Sequence, residues 1–364
     1  MTNTVKQLVN EGQSIWQDDI SRQLIEDGSL KAAIEDTGIR GVTSNPTIFQ
    51  KAIAGSDTYD DEIKSLLAQG KDAAAVFQTV AVKDIQDACD LFRPLYDETD
   101  GGDGFVSLEV LPSLARDTEG TLDNARILWK AVNRPNLMIK VPGTDDGVPA
   151  VKQLLTEGVN VNITLLFSLQ NYEAVARAYI DALQARADAG QPIDKIASVA
   201  SFFVSRVDSA ADKQLDEIGT DEAKALKGKA AIANAILAYE KFEEIFSGEQ
   251  WDALAAKGAR VQRPLWASTG VKNPDYPDTL YVDTLIGPDT INTAPTPTIK
   301  AFLDHGTVKR TVDTDYAAAH KVMSDLAAIG VEIDAITVKL EEDGIASFMS
   351  SYDDLLATVD GKKA

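Results

Sequence analysis

Lys140 is the residue whose setting most clearly suggests chemistry. It lies inside the apolar run Leu137-Met138-Ile139-Lys140-Val141, bounded by Asn136 and by Pro142-Gly143. That pattern predicts a short buried strand, with Met138 and Lys140 on one face and Leu137, Ile139 and Val141 on the other. A lysine is rarely buried without a partner or a purpose. Desolvation disfavours the ammonium and makes available a neutral amine, the nucleophile that forms a Schiff base with a ketone. Two structural readings compete: a lysine ion-paired to a carboxylate, or one that snorkels from a strand end.

Scarcity of other groups narrows the alternatives. The chain has one cysteine and two histidines. Cys89 falls in the helical pattern Val82–Arg93 and reads as a small buried thiol, while His305 and His320 fall in late helical or loop segments. No internal disulfide is available, and neither a multi-histidine or cysteine metal site nor a histidine-centred triad is expected. No metal or cofactor is expected, and if the protein is an enzyme, Asp, Glu, Lys and bound water must move its protons.

The formal net charge is −22, from 35 basic and 57 acidic residues. Such a surface repels nucleic acid and anionic membrane, so neither is expected as a partner. A phosphorylated ligand would need a local cluster of basic groups. No apolar run approaches the roughly 20 residues that cross a bilayer, and the N-terminus does not read as a signal peptide. A soluble, cytoplasmic protein is expected. Oligomeric state is not written in the sequence, and a homodimer is compatible with it.

These groups need a scaffold, and 364 residues at 44% hydrophobic supply one of ordinary globular composition. Strands are predicted at Ser14–Asp18, Arg40–Asn45, Phe105–Val110, Leu137–Val141, Val159–Leu166, Ile196–Phe203, Pro264–Ser268 and Leu280–Val282. Helical patterns separate them, at Ala73–Tyr96, Thr121–Val132, Val148–Thr156, Tyr172–Asp188 and Asp221–Phe246, with further helical material over Asp57–Leu67. Eight alternating units predict an α/β fold, a (β/α)8 barrel rather than an open sheet. A dinucleotide-binding alternative lacks its glycine fingerprint, since Asp18-Asp19-Ile20-Ser21-Arg22 follows the first strand. Residues 1–364 are read as one domain, with 295–364 as appended C-terminal helices. Within that tail, Tyr316–Ala328 and Ile333–Ala357 are amphipathic, and Asn292–Thr298 reads as a loop.

In such a barrel the active site lies at the C-terminal ends of the strands. Period-two reading puts polar groups there: Asp18 on the first strand, Asn45 on the second, and Ser107 with Glu109 on the third. Asn160, Asn162 and Thr164 share a face of the fifth, and Ser201 and Phe203 end the sixth. Arg206 opens the next helix and could clamp a phosphate with help from the helix N-terminus. Lys272, after the small-residue turn Ala267–Gly270, is a second candidate contact. Each has a plainer explanation: Asn45 as a helix N-cap, Asp18 or Asp19 as a cap near Ser21, Glu109 as the ion-pair partner of Lys140, Arg206 as a surface pair. Five strands ending this way are harder to reconcile with a packed barrel interior, which favours branched apolar side chains.

Thr43-Ser44-Asn45-Pro46, Ser107-Leu108-Glu109-Val110, Ile139-Lys140-Val141-Pro142, Asn162-Ile163-Thr164-Leu165-Leu166-Phe167-Ser168 and Phe203-Val204-Ser205-Arg206 resemble transaldolase motifs, in family order, and the resemblance runs from about residue 14 to 272. It implies metal-free transfer of a dihydroxyacetone unit from a ketose phosphate to an aldose phosphate, in the non-oxidative pentose phosphate pathway. By that resemblance Lys140 forms the Schiff base and Asp18 is the acid/base, with neighbouring Asp19 as second choice. Glu109 and Thr164 match groups that hold a catalytic water. Asn45, Asn162 and Ser201 match groups on the dihydroxyacetone hydroxyls, and Arg206 the phosphate-binding arginine. Where many relatives carry a second phosphate arginine, this chain has Gly270-Val271-Lys272; a lysine supplies charge but not a bidentate fork. Related sugar-phosphate aldolases carry a tyrosine at the position of Phe203. A phenyl cannot donate a proton to help release the three-carbon unit, which favours transfer over cleavage. The alternatives are a fructose-6-phosphate aldolase on the same lysine and a non-catalytic sugar-phosphate-binding barrel with Lys140 merely paired to Glu109.

Overall fold

The computed structural model describes residues 3–363. Eight strands, β1 (Gln13–Gln17), β2 (Gly41–Val42), β3 (Phe105–Glu109), β4 (Leu137–Pro142), β5 (Val161–Leu166), β6 (Ser198–Phe203), β7 (Arg263–Ala267) and β8 (Thr290–Ala294), pair in sequence order. All pairings are parallel, and β8 returns to β1 with Gln13 opposite Thr290 and Gln17 opposite Ala294, which closes the barrel. The principal helices are α1 (Pro46–Ala54), α2 (Ala73–Glu98), α3 (Thr118–Val132), α4 (Gly147–Glu157), α5 (Leu169–Asp188), α6 (Ser205–Ile218), α7 (Ala230–Ile245), α8 (Thr296–His305), α9 (Tyr316–Ala328) and α10 (Ile333–Gly361). Asp72, Asp117, Ser168 and Asp315 start four of them by accepting a first-turn backbone N–H. Among the described residues no helix is long and apolar enough to cross a membrane.

Three expectations need correction. Leu280–Val282 is not the eighth strand: Leu280–Asp283 is a single helical turn, with Tyr281 and Val282 buried. The strand lies at Thr290–Ala294, partly inside the segment read as a loop, and α8 follows it at once. A short apolar run cannot distinguish strand from buried helix. The true strand hides its polarity instead, because Thr290 donates to the Gly287 carbonyl at 2.6 Å and Asn292 to that of Tyr281 at 3.1 Å. The pattern Asp221–Phe246 is likewise two helices, broken at Gly228, whose φ is +70° and whose N–H donates to Asp212 Oδ1.

The two ends of the barrel differ. At the N-terminal end, Asp103 is buried and accepts from Trp16 Nε1 at 2.9 Å, from Arg40 Nε at 2.8 Å and from Ser14 Oγ; the Arg263 guanidinium lies 3.6 Å away. The Trp16 ring fills the space beside Gly41, where an added Cβ would stand 2.5 Å from the ring and 2.8 Å from the Phe105 carbonyl. That close approach, not turn formation, is what requires glycine there. At the C-terminal end, α10 lies across the barrel mouth. Ser351 shares a 2.7 Å hydrogen bond with Thr47 on α1, Glu341 accepts from Asn171 on α5 at 2.7 Å, and the Tyr352 ring packs edge-on to Phe77 of α2.

Gly41→Ala should therefore overpack the closed end and lower stability by about 1–3 kcal/mol. Urea unfolding reads this as a lower midpoint at unchanged slope; an unchanged midpoint would contradict the packing described.

Candidate active site

Lys140 points into the barrel from β4 with its side chain 5% exposed. It has a partner. Its Nζ lies 3.2 Å from Glu109 Oε2, on the neighbouring strand at the paired register position, and donates to the Ser44 carbonyl at 3.0 Å. The Glu109 contact is an ion pair without hydrogen-bond geometry, and both Glu109 oxygens are buried with no hydrogen-bond partner among the described residues. Burial pushes the Glu109 carboxyl up, against the pull of Lys140.

On the cavity side, Lys140 shares an open-mouthed chamber of about 300 Å³ with Asp18, Asn45, Thr164, Ser201 and Phe203. Asp18 accepts from Thr43 Oγ1 at 2.6 Å. Burial raises its carboxyl from the ordinary 3.8, and the charges of Lys140, Lys272 and Arg206 work in the opposite sense. Asp19 does not line the chamber. Asn45 is the N-cap of α1, its Oδ1 accepting from Ile48 N at 2.9 Å, and it lines the chamber as well, so the plain explanation holds without displacing the other. Thr164 Oγ1 is buried with no hydrogen-bond partner among the described residues.

Two expected residues sit elsewhere. Asn162 lies beneath the chamber floor, fully buried, donating to Ser107 Oγ at 3.0 Å and accepting from Ser201 Oγ at 2.7 Å. Both ends of its amide are engaged by the protein. Glu109 faces a small side pocket of about 20 Å³, shared with Asn45, rather than the chamber where Thr164 lies. That pocket is sized for about one water.

Arg206, in the first turn of α6, and Lys272, after β7, stand on the chamber wall as expected. Lys51, on α1, joins them and was not anticipated. None of the three has a carboxylate within ion-pair distance among the described residues, although the chain carries 57 acidic residues. Burial draws Arg206 below its usual value, yet a guanidinium stays charged. Four cations and one carboxylate thus line the chamber, the local concentration of positive charge that an anionic ligand would need. Phe348 of α10 is the other residue sequence reading missed. Its ring centroid lies 5.7 Å from Lys140 Nζ. The two histidines are exposed and paired with surface carboxylates, and Cys89 is buried in α2.

The family described as transaldolase/fructose-6-phosphate aldolase matches residues 15–359. The chain belongs to that family. It is 49% identical over 360 residues to a transaldolase of Frankia alni, covering 99% of this chain and 97% of the relative. It is 48% identical over 372 residues to one of Trichodesmium erythraeum, covering 100% and 98%, and 49% identical over 360 residues to one of Thermobifida fusca, covering 99% and 98%. The match includes the C-terminal helices as well as the barrel. This is an enzyme with transaldolase activity, and its family implies sugar phosphates as substrates.

Because burial raises the Asp18 carboxyl, the native state holds that proton more tightly than the unfolded chain. Such a group stabilises the fold below the ordinary aspartate range and withdraws the contribution as pH rises through its native value. Asp18→Asn, uncharged throughout, is expected to melt at higher temperature than the parent at pH 7–8, with the gap narrowing as pH falls toward 3.8. A lower melting temperature at pH 7–8 would show that the charged carboxylate is net stabilising.

Proposed function

We propose that the chamber transfers a dihydroxyacetone unit from a ketose phosphate, sedoheptulose 7-phosphate or fructose 6-phosphate, to an aldose phosphate, glyceraldehyde 3-phosphate or erythrose 4-phosphate, within the pentose phosphate pathway. The observation that carries the reading is the buried Lys140 amine on the wall of a chamber that also holds Asp18 and three cations without carboxylate partners.

The amine adds to the donor carbonyl and loses water to give an iminium. Asp18 takes the proton of the C4 hydroxyl as the C3–C4 bond breaks, and the electron pair runs into the iminium to leave an enamine. The aldose phosphate departs. The enamine carbon attacks the acceptor aldehyde, Asp18 returns its proton to the new alkoxide, and water frees the product from Lys140. Asp18 suits this role by its place in the chamber, and burial raises its carboxyl above the ordinary aspartate value, which favours proton uptake. Glu109 and Thr164 are assigned to the water that forms and hydrolyses the imine. Their buried oxygens, without a hydrogen-bond partner among the described residues, support this, each from its own side of Lys140. Asn45 and Ser201 are assigned to the hydroxyls of the three-carbon unit, with Asn162 holding Ser201 from beneath. Arg206 and Lys272 are assigned to the phosphate. Phe203 offers no phenol to assist release.

We read residues 1–364 as one domain, supported by a hydrophobic core that continues from the barrel into α9 and α10. A cytoplasmic location, no nucleic-acid or membrane partner, and a chain that is free to form a homodimer complete the proposal.

Fructose 6-phosphate should be consumed only when an aldose phosphate is present; acceptor-independent release of dihydroxyacetone at a comparable rate would move the assignment to an aldolase. Arg206→Ala should raise the KM for phosphorylated donors about 10- to 100-fold, the scale of a charged hydrogen bond. The KM for unphosphorylated donors should change little, and equal effects on both would reject Arg206 as the phosphate contact.

A further inference from the structure

We propose that Phe348 is a specificity-determining residue: it decides whether the three-carbon unit held on Lys140 passes to an acceptor or is lost to water. The inference rests on the imine reading above. Phe348 is 4% exposed, lines the chamber, and stands with its ring centroid 5.7 Å from Lys140 Nζ. It belongs to no strand end or barrel loop. It reaches the amine from α10, which is positioned by contacts on the same helical face.

One turn earlier on that face is Gly344. An added Cβ there would lie 2.9 Å from the Leu165 side chain. Leu165 follows Thr164 and has φ +59°, a left-handed conformation that costs a non-glycine residue energy. The same stretch shifts the β5–β6 register between Ile163 and Leu166. The helix therefore rests on the irregular end of β5, beside Thr164, and from that seat it sets Phe348 against Lys140. Ser351 and Tyr352 anchor the next turn on α1 and α2. This multipoint attachment fixes the ring rather than leaving it on a mobile loop.

The chemistry of loss has two steps. Protonation of the enamine carbon, by the Asp18 carboxyl that took the C4 hydroxyl proton, gives the iminium of dihydroxyacetone. A water oxygen then adds to the iminium carbon and gives up a proton to a neighbouring carboxylate. The C–N bond breaks with its electron pair staying on nitrogen, which takes up a proton, so one water is consumed for each dihydroxyacetone released. A ring this close to the nitrogen denies water that side of the iminium carbon and slows the second step. Transfer needs the intermediate to survive until an aldehyde arrives, and the ring extends its life without touching the proton-transfer groups.

The experiment compares the parent with Phe348→Ala and Phe348→Leu. For each, the rate of transfer to an aldose phosphate and the rate of acceptor-free dihydroxyacetone release from fructose 6-phosphate are measured, with borohydride trapping to show that Lys140 is still loaded. In Phe348→Ala the ratio of release to transfer should rise about tenfold, with the adduct still on Lys140. Phe348→Leu keeps apolar bulk without the aromatic face and should rise less. A ratio equal to that of the parent in Phe348→Leu and in any Phe348→Ala protein that folds, even if both rates fall, overturns the proposal and leaves Phe348 a packing residue. Absence of a trappable imine in the parent overturns the reading beneath it, and does so without reference to either variant.

Discussion

A lysine ammonium and a glutamate carboxylate, each about 5% exposed or less, face one another at 3.2 Å across β3 and β4. Taking two charges out of water is expensive, and attraction in the interior repays it only when geometry is held and other polar atoms are used. Much of the upper barrel serves that constraint. The Ser44 carbonyl takes one proton of Lys140, and the Ser107–Asn162–Ser201 chain fixes a hydrogen-bonded belt below it. Pairing to Glu109 was the plain reading of Lys140. The pair is present, yet it does not make the lysine merely structural, because the same amine borders the chamber that holds Asp18.

The remaining charges are arranged around this centre by location rather than by total. A chain of net charge −22 places Lys51, Arg206 and Lys272 around one chamber, clear of carboxylate partners among the described residues. Field focused in a cleft depends on the charges that line it, so an anionic substrate can be drawn in against the sign of the whole molecule. At the opposite end, Asp103 gathers Ser14, Trp16, Arg40 and Arg263 into a plug. That end of the barrel is closed by the buried carboxylate and the groups around it. At the other, Glu109, ion-paired to Lys140, and Thr164 have side-chain oxygens with no hydrogen-bond partner among the described residues, where reacting groups need them.

Local periodicity made much of this legible. Inward-facing Asp18, Asn45, Lys140, Thr164, Ser201 and Phe203 follow from side-chain alternation, and the structure brings all six to one chamber. The apolar stripes of Tyr316–Ala328 and Ile333–Ala357 likewise read as helices, the second of which runs on to Gly361. What was hidden depends on contacts between distant residues. β8 carries hydrogen-bonded Thr and Asn where an apolar pattern was sought, and the Ser107 and Ser201 partners of the Asn162 amide come from two other strands. Lys51 sits on α1 beyond the Asn45 cap, and Phe348 lies more than 200 residues from Lys140 in sequence. The amphipathic pattern of α10 is that of an ordinary packing helix, and only its course across the barrel mouth brings Phe348 to the site.

The central claim is that Lys140 carries the substrate covalently. Incubation with fructose 6-phosphate, reduction with borohydride and mass mapping of the peptides test it directly. The account predicts a reduced three-carbon adduct on the Lys140 peptide and on no other lysine, absent when ketose or borohydride is omitted. Binding of the sugar phosphate with Lys140 left unmodified would contradict it.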